Sequence, residues 1–229
     1  MGKKINAVYL GRMEYGYVLS IQEKLQQKRI NDEAEDTILI VEHPEVLTMG
    51  RRAKESNILL PKGILKEKGV DIFEVNRGGD VTYHGPGQIV GYPVIDLKGY
   101  GKDIKAFVWN IEEIFIKLLK KEYDIDAYRD EKKYTGVWVG NDKITAIGIA
   151  VRHWVTMHGF AYNVNTDLEN FKWINPCGIT DKGVTSLEKL LGKKVDFDEE
   201  IKKVLQYFCE VFDTEPVIVS KDDFLKEMS

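Results

Sequence analysis

The sequence predicts a mixed α/β (α+β) fold, in which a largely antiparallel sheet is packed with helices. Three observations carry that expectation. Gly136-Val-Trp-Val-Gly140 and residues 143–151 are apolar runs flanking the turn residues Asn141 and Asp142, the clearest hairpin in the chain. Asp103 can cap a helix whose apolar positions Val108, Ile111, Phe115 and Leu118 follow the helical period. Hydrophobic residues make up 43% of 229, enough to bury the core of one large domain.

Taken in order, residues 14–30 read as a helix, with Val18 and Leu25 on its apolar side and Tyr15 and Tyr17 near its start. Residues 36–43 are a continuous apolar run, the pattern of a strand buried on both faces. Residues 44–57 read as loop, with residues 54–57 in solvent. Val70 to Val75 gives a short alternating strand. His158 to Asn165 alternates Phe160, Tyr162 and Val164 with smaller or polar residues, as a half-buried strand does. Thr185-Ser-Leu-Glu188 reads as a capping box opening a short helix that stops at Gly192. Asp198 opens a last helix with Ile201, Val204, Leu205, Phe208 and Phe212 on one side. This order does not suggest a βαβ-type parallel alternation. No repeat or Pro/Ser-rich linker divides the chain, so residues 1–229 are expected to form one domain.

Composition removes several functional classes. With 33 basic and 37 acidic side chains the net charge is −4, unlike a protein whose main partner is nucleic acid. No apolar region follows Lys3 and Lys4 as in a leader peptide, and no run of about 18 apolar residues suggests a membrane span. Two cysteines, Cys177 and Cys209, make neither a disulfide framework nor a Cys-x-x-Cys metal site. A reduced, cytoplasmic chain is the expectation.

Chemistry concentrates in two places. Five of twenty glycines fall between Arg77 and Gly91, in a stretch that also carries Thr82, Tyr83, His84 and Gln88. Glycine weakens strands, so this density implies either close approach of a ligand or a tight double turn with His84 at the surface. It is not a G-x-G-x-x-G nucleotide fingerprint. Cys177 lies between Pro176 and Gly178, hence on a turn, where a nucleophile and free N–H groups can be presented. Taken alone, a cysteine is more often a small buried apolar residue than a nucleophile, and for Cys209, beside Phe208 in a helix, that reading is strongly preferred. A thiol needs a nearby cation or base to react near pH 7, and His84, His158 and Lys143 are the candidates. Lys143 starts an apolar strand with Ile144, Ala146 and Ile147 behind it; the alternative is an ordinary turn lysine in solvent.

The runs 77–93, 143–148, 158–168 and 176–179, with the earlier His43-Pro-Glu-Val-Leu-Thr-Met-Gly-Arg51, resemble in order the lipoyl(octanoyl) transferase family, also called lipoate-protein ligase B. The resemblance implies the fold shared with biotin protein ligases and lipoate ligases. It implies an acyltransferase that takes octanoyl from acyl carrier protein and places it on a lysine of lipoyl domains. Those domains belong to 2-oxoacid dehydrogenase E2 subunits and glycine cleavage H protein, and the transfer is the first step of endogenous protein lipoylation. Cys177 matches the acyl-thioester nucleophile and Lys143 the residue that lowers its pKa. Arg77, Gly78, Gly79, Asp80, Val81, Thr82, Tyr83 and His84 match one acyl-binding segment. Ala146, Ile147 and Gly148, then Gly159, Phe160 and Ala161, match two more. Asp80, Thr145 and Tyr162 depart mildly from the pattern and bear on the shape of the acyl pocket.

The implied chemistry runs from thioester to amide and is downhill, so it calls for no cofactor, ATP or metal. Neither nucleic acid nor a membrane is an expected partner. Three rivals remain at this stage: an ATP-dependent lipoate or biotin ligase on the same fold, a noncatalytic module that binds carrier or lipoyl domains, and a cysteine hydrolase.

Overall fold

The computed structural model describes residues 2–130, 134–175 and 182–228. Its largest sheet runs, in spatial order, β12 (Thr214–Ile218), β1 (Lys3–Arg12), β2 (Thr37–Glu42), β6 (Gln88–Val94), β10 (Val155–Asn163), β9 (Asp142–Arg152), β8 (Val137–Val139) and β7 (Tyr128–Arg129). Strand β11 (Gly183–Val184) joins β9 off that path. Every pairing from β2 to β7 is antiparallel, whereas β1 lies parallel to β12 and β2, and β11 parallel to β9. The expected mixed, largely antiparallel sheet is what forms.

Both faces of the sheet are covered, and β2 shows why its middle, Ile38 to Val41, is an unbroken apolar run. Ile38 and Ile40 face a core shared with α3 (Ile104–Tyr123) and α5 (Phe197–Phe212). Leu39 and Val41 face a second core shared with α1 (Tyr15–Ile30) and α6 (Lys221–Glu227). Period-2 alternation sends each of these four side chains into one core or the other, so none of them is polar. Helix α3 forms as its sequence suggests. The Asp103 side chain accepts from the N–H groups of Lys105 and Ala106, and Ile111, Phe115 and Leu118 are buried. A third core fills a small sheet of β3 (Val46–Met49), β4 (Asp71–Glu74) and β5 (Val81–His84), flanked by the short helix α2 (Lys62–Glu67).

Several local expectations are corrected. Residues 44–57 are not all loop, because Val46–Met49 pairs with β4 and β5 on opposite edges. A βαβ unit does exist: β1, α1 and β2 form one, and the polar, exposed first residues of β1 hide its strand character in the sequence. Strand β10 is buried at every position rather than half-buried, since it lies between β6 and β9 with a helical layer over each face. The hairpin turns at Gly140 and Asn141, because Asp142 already pairs with Val139. Helix α4 (Leu187–Leu191) is capped by Ser186, not Thr185, whose N–H is held by the Lys143 carbonyl at 3.0 Å. Helix α5 is capped by Asp196, so Asp198 lies inside its first turn, and β12 and α6 follow it. Among the described residues, no helix is long and apolar enough to cross a membrane.

Candidate active site

A cavity of about 560 Å³ opens beside the middle of β9, within the ~300–1,000 Å³ usual for small-molecule sites. Loop 77–80 forms one wall and is stitched down by backbone hydrogen bonds on two sides. Gly78 N–H donates to the Ile149 carbonyl at 2.9 Å, and the N–H groups of Gly50, Arg51 and Arg52 donate to the carbonyls of Asp80, Arg77 and Gly79. The fit is tight on both sides: an added Cβ would lie 2.7 Å from the Gly78 oxygen at Gly148 and 2.7 Å from the Gly79 oxygen at Gly50. The glycines of 77–91 answer to several constraints: Gly79 and Gly87 have φ +89 and +79, a Cβ at Gly87 would run into the Asn165 oxygen, and at Gly85 and Gly91 it would meet the Tyr83 and Phe160 rings.

The structure brings most of the expected site residues together. Gly78, Gly79, Asp80, Val81 and Thr82 line the cavity, as do Lys143, Ala146, Ile147 and Gly148. Arg77 lines it too, but its guanidinium is turned into the fold: Nη2 donates to both oxygens of Thr48 and Nη1 to the Gly78 carbonyl. Gly159, Phe160 and Ala161 line a smaller adjoining cavity of about 50 Å³ that shares Arg77, Thr82 and residues 146–148 with the first. Antiparallel register makes this contact, setting Gly159, Phe160 and Ala161 opposite Gly148, Ile147 and Ala146. Tyr83 lines neither cavity. Its ring packs edge-on to Phe171 and Trp173, and its hydroxyl accepts from Asn170 at 2.9 Å.

Neither histidine is the cation that a thiol would need. His84 lines the smaller cavity but is buried rather than at the surface, with Nδ1 against Gln88 Oε1 at 2.8 Å. Burial pulls its pKa down to about 3. His158 Nε2 meets Asn76 Oδ1 at 2.7 Å, and burial, with help from Arg77 and Arg51, lowers it to about 4. Both are neutral at pH 7, which removes them as cationic partners.

Lys143 is held in place. Its Nζ donates to the Thr135 carbonyl at 2.9 Å and stands 4.7 Å from the centre of the Trp138 ring. Lys182 Nζ stands 4.3 Å from the same ring centre and pairs with Asp130 at 3.1 Å. Trp138 and Lys182 were not picked out in the sequence, although the hairpin register that sets Trp138 opposite Lys143 could have found the former. Cys177 lies outside the described residues. The described residues on either side, Asn175 and Lys182, both line the cavity. Asn175 N–H is fixed by the Asn57 carbonyl at 2.8 Å, and Asn57 Nδ2 by Asp80 at 2.7 Å, so the expected solvated residue is instead a brace. Cys209 is buried in α5 and burial pushes its thiol pKa up, as a core cysteine's should be. Basic side chains outnumber acidic ones around the large cavity, with Arg52, Lys172 and Lys189 joining Lys143 and Lys182.

Residues 14–209 match the family model described as lipoyl protein ligase A/B catalytic domain. An octanoyltransferase of Caldicellulosiruptor saccharolyticus is 61% identical over 220 residues, covering 96% of this chain and 94% of its own. An octanoyltransferase of Desulforamulus reducens is 57% identical, covering 94% of each. Among solved structures, a Thermoplasma acidophilum putative lipoate protein ligase with bound lipoic acid superposes with TM-score 0.72 at 15% identity, covering 100% of this chain and 95% of its own. Biotin protein ligase of Aquifex aeolicus superposes with TM-score 0.56 at 15% identity, covering 91% and 70%. These distant structures share the fold.

Proposed function

Because the chain belongs to the lipoyl protein ligase A/B catalytic domain family, we propose that its large cavity is where an acyl group passes from a carrier-protein thioester through Cys177 to an acceptor lysine. The chain is an acyltransferase of lipoate biosynthesis that moves octanoyl onto lipoyl domains. The finer reading is that the donor is octanoyl acyl carrier protein. The acceptors are the lipoyl domains of 2-oxoacid dehydrogenase E2 subunits and glycine cleavage H protein, and residues 1–229 act as one catalytic domain. One observation carries this reading: a single cavity gathers Lys143, loop 77–82 and residues 146–148, and its wall includes Asn175 and Lys182, the described neighbours of the segment containing Cys177.

In the first half-reaction the Cys177 thiolate attacks the donor carbonyl. The new C–S bond forms, the donor C–S bond breaks, and the carrier thiolate leaves to take a proton. In the second, the acceptor lysine amine attacks the acyl-cysteine; Lys143, left neutral by giving its proton to the departing carrier thiolate, takes the proton the amine loses, the amide forms and Cys177 leaves as thiolate. The Lys143 ammonium lowers the Cys177 pKa before the first step. Backbone N–H groups beside Cys177 stabilise the oxyanion, and residues 77–82, 146–148 and 159–161 hold the acyl chain. The cationic lining suits an anionic donor such as a carrier bearing a phosphate-linked thioester arm.

The test supplies octanoyl carrier protein and a lipoyl domain with neither ATP nor magnesium. Modification of one acceptor lysine is the expected result. If acceptor modification occurs only with free octanoate and ATP, the chain is an adenylating ligase.

A further inference from the structure

Glu112 is a charged residue buried in the middle of α3, on a helix whose other buried residues are all apolar. Such burial is costly unless the carboxylate has specific partners. Its Oε1 accepts from Gly136 N–H at 2.9 Å, and its Oε2 lies 3.5 Å from Arg129 Nε on β7. Arg129 in turn pairs with Glu113 and stacks 3.8 Å from the centre of the Trp109 ring. Glu112 therefore joins α3 to the segment that leads into β8.

That segment is what holds Lys143. Thr135, one residue before Gly136, supplies the carbonyl that accepts from Lys143 Nζ, and Trp138, two residues after, supplies the ring beneath it. Gly136 itself has φ +129, and a Cβ there would lie 2.5 Å from the Thr145 oxygen and 3.3 Å from Lys143 Cε. The lysine stem thus runs directly across Gly136, and any shift of this backbone moves the ammonium. We propose that Glu112 is a positioning residue for Lys143: by holding Gly136 N–H it fixes the Thr135 carbonyl, and through it the place of the ammonium in the cavity. The proposal rests on the reading of Lys143 as the group that activates Cys177.

Among the described residues, Glu113 pairs with Arg129 and Asp130 with Lys182 beside this arrangement. Arg129 faces Glu112 from β7 and Lys143 approaches it from β9, while Lys182 shares the Trp138 ring and Asp142 pairs with Lys189. Burial raises the Glu112 pKa, although Gly136 N–H, Arg129 and Lys143 each oppose the rise.

The experiment measures the pH profile of Cys177 alkylation and the kcat and KM of octanoyl transfer in a Cys209→Ala background, alongside circular dichroism and Tm. Lys143→Met sets the scale by raising the alkylation midpoint. Glu112→Ala is expected to move the midpoint the same way, by about one pH unit, and to lower kcat about tenfold with KM little changed. Glu112→Gln keeps an acceptor for Gly136 N–H and should restore both to near wild type. Glu112→Ala combined with Lys143→Met should shift the profile no further than Lys143→Met alone. Should the alanine variant fail to fold, Glu112→Asp reads the same displacement, with the carboxylate one methylene short of Gly136. A folded Glu112→Ala or Glu112→Asp protein with reduced Tm but an unmoved profile would make the residue structural only and overturn the proposal. If Lys143→Met itself leaves the profile unmoved, the reading of Lys143 falls and this proposal with it; if only the Glu112 variants do, the proposal falls alone.

Discussion

Gly148→Ala perturbs the one point where loop 77–80 touches β9 most closely. The added methyl would lie 2.7 Å from the Gly78 oxygen, and the Gly78 N–H to Ile149 bond of 2.9 Å leaves the loop no slack toward that side. A backbone carbonyl cannot rotate away as a side chain can, so the loop itself must move outward. Overpacking of this kind costs about 1–3 kcal/mol. In a chain of this length that corresponds to a fall in Tm of about 2–12 °C. Because the same loop forms a cavity wall, donor binding should weaken as well; about 1 kcal/mol of it raises KM roughly fivefold. Gly63→Ala is the control, since Gly63 lies in α2 with open space around it and should gain about 0.5–1 kcal/mol. Thermal unfolding and steady-state kinetics with octanoyl carrier protein read both effects. A Gly148→Ala protein with unchanged Tm and unchanged KM would refute the account of loop 77–80 as packed tightly against β9 at this point.

Three further outcomes follow from the geometry. His43, His84 and His158 are held neutral by burial, with pKa values of about 4, 3 and 4, so below pH 6.5 the unfolded chain binds protons that the folded chain refuses. Stability must then fall as pH drops, by about 2 kcal/mol per histidine at pH 5, and a Tm that stays flat between pH 7 and 5 would contradict it. Burial also raises Glu112 and Glu200, which acts in the opposite sense but through two groups against three. Asn57→Ala removes a hydrogen bond to the buried Asp80 carboxylate and should cost about 1.5–3 kcal/mol, whereas the neighbouring exposed Ser56→Ala should change stability by less than about 0.5, both read by denaturant unfolding. Lys143→Met should lower kcat by about 10²-fold or more while leaving Tm near wild type, because the side chain works at the cavity and outside the core.

What could be read from the sequence was local. The α3 period, the Asp103 cap, the 136–151 hairpin and the doubly buried β2 each announce themselves within a dozen residues, because propensity and period act over that range. Strand β1 escaped because its ends are polar, and β10 looked half-buried because its small and polar residues also face a covered surface. The site divided in the same way. Lys143 and the glycine loop stood out by composition, but Tyr83 packs against Phe171 and Trp173 and lines neither cavity, a long-range contact that its neighbours in sequence do not report. The tie between Asn57 and Asp80, and that between Glu112 and Gly136, span 23 and 24 residues and join elements by hydrogen bonds, so no spacing within a single element reveals them. The histidines' neutrality depends on burial, which sequence spacing does not report.

The central claim is that acyl transfer passes through Cys177, and the covalent intermediate tests it most directly. Incubation with octanoyl carrier protein and no acceptor should leave one octanoyl group on the protein by intact mass, mapped to Cys177 and released by hydroxylamine as a thioester is. Cys177→Ser should hold no such thioester, Cys209→Ala should hold it as wild type does, and adding a lipoyl domain should discharge it onto one lysine. An adduct on Cys209, or transfer that proceeds with no adduct on either cysteine, would contradict the account.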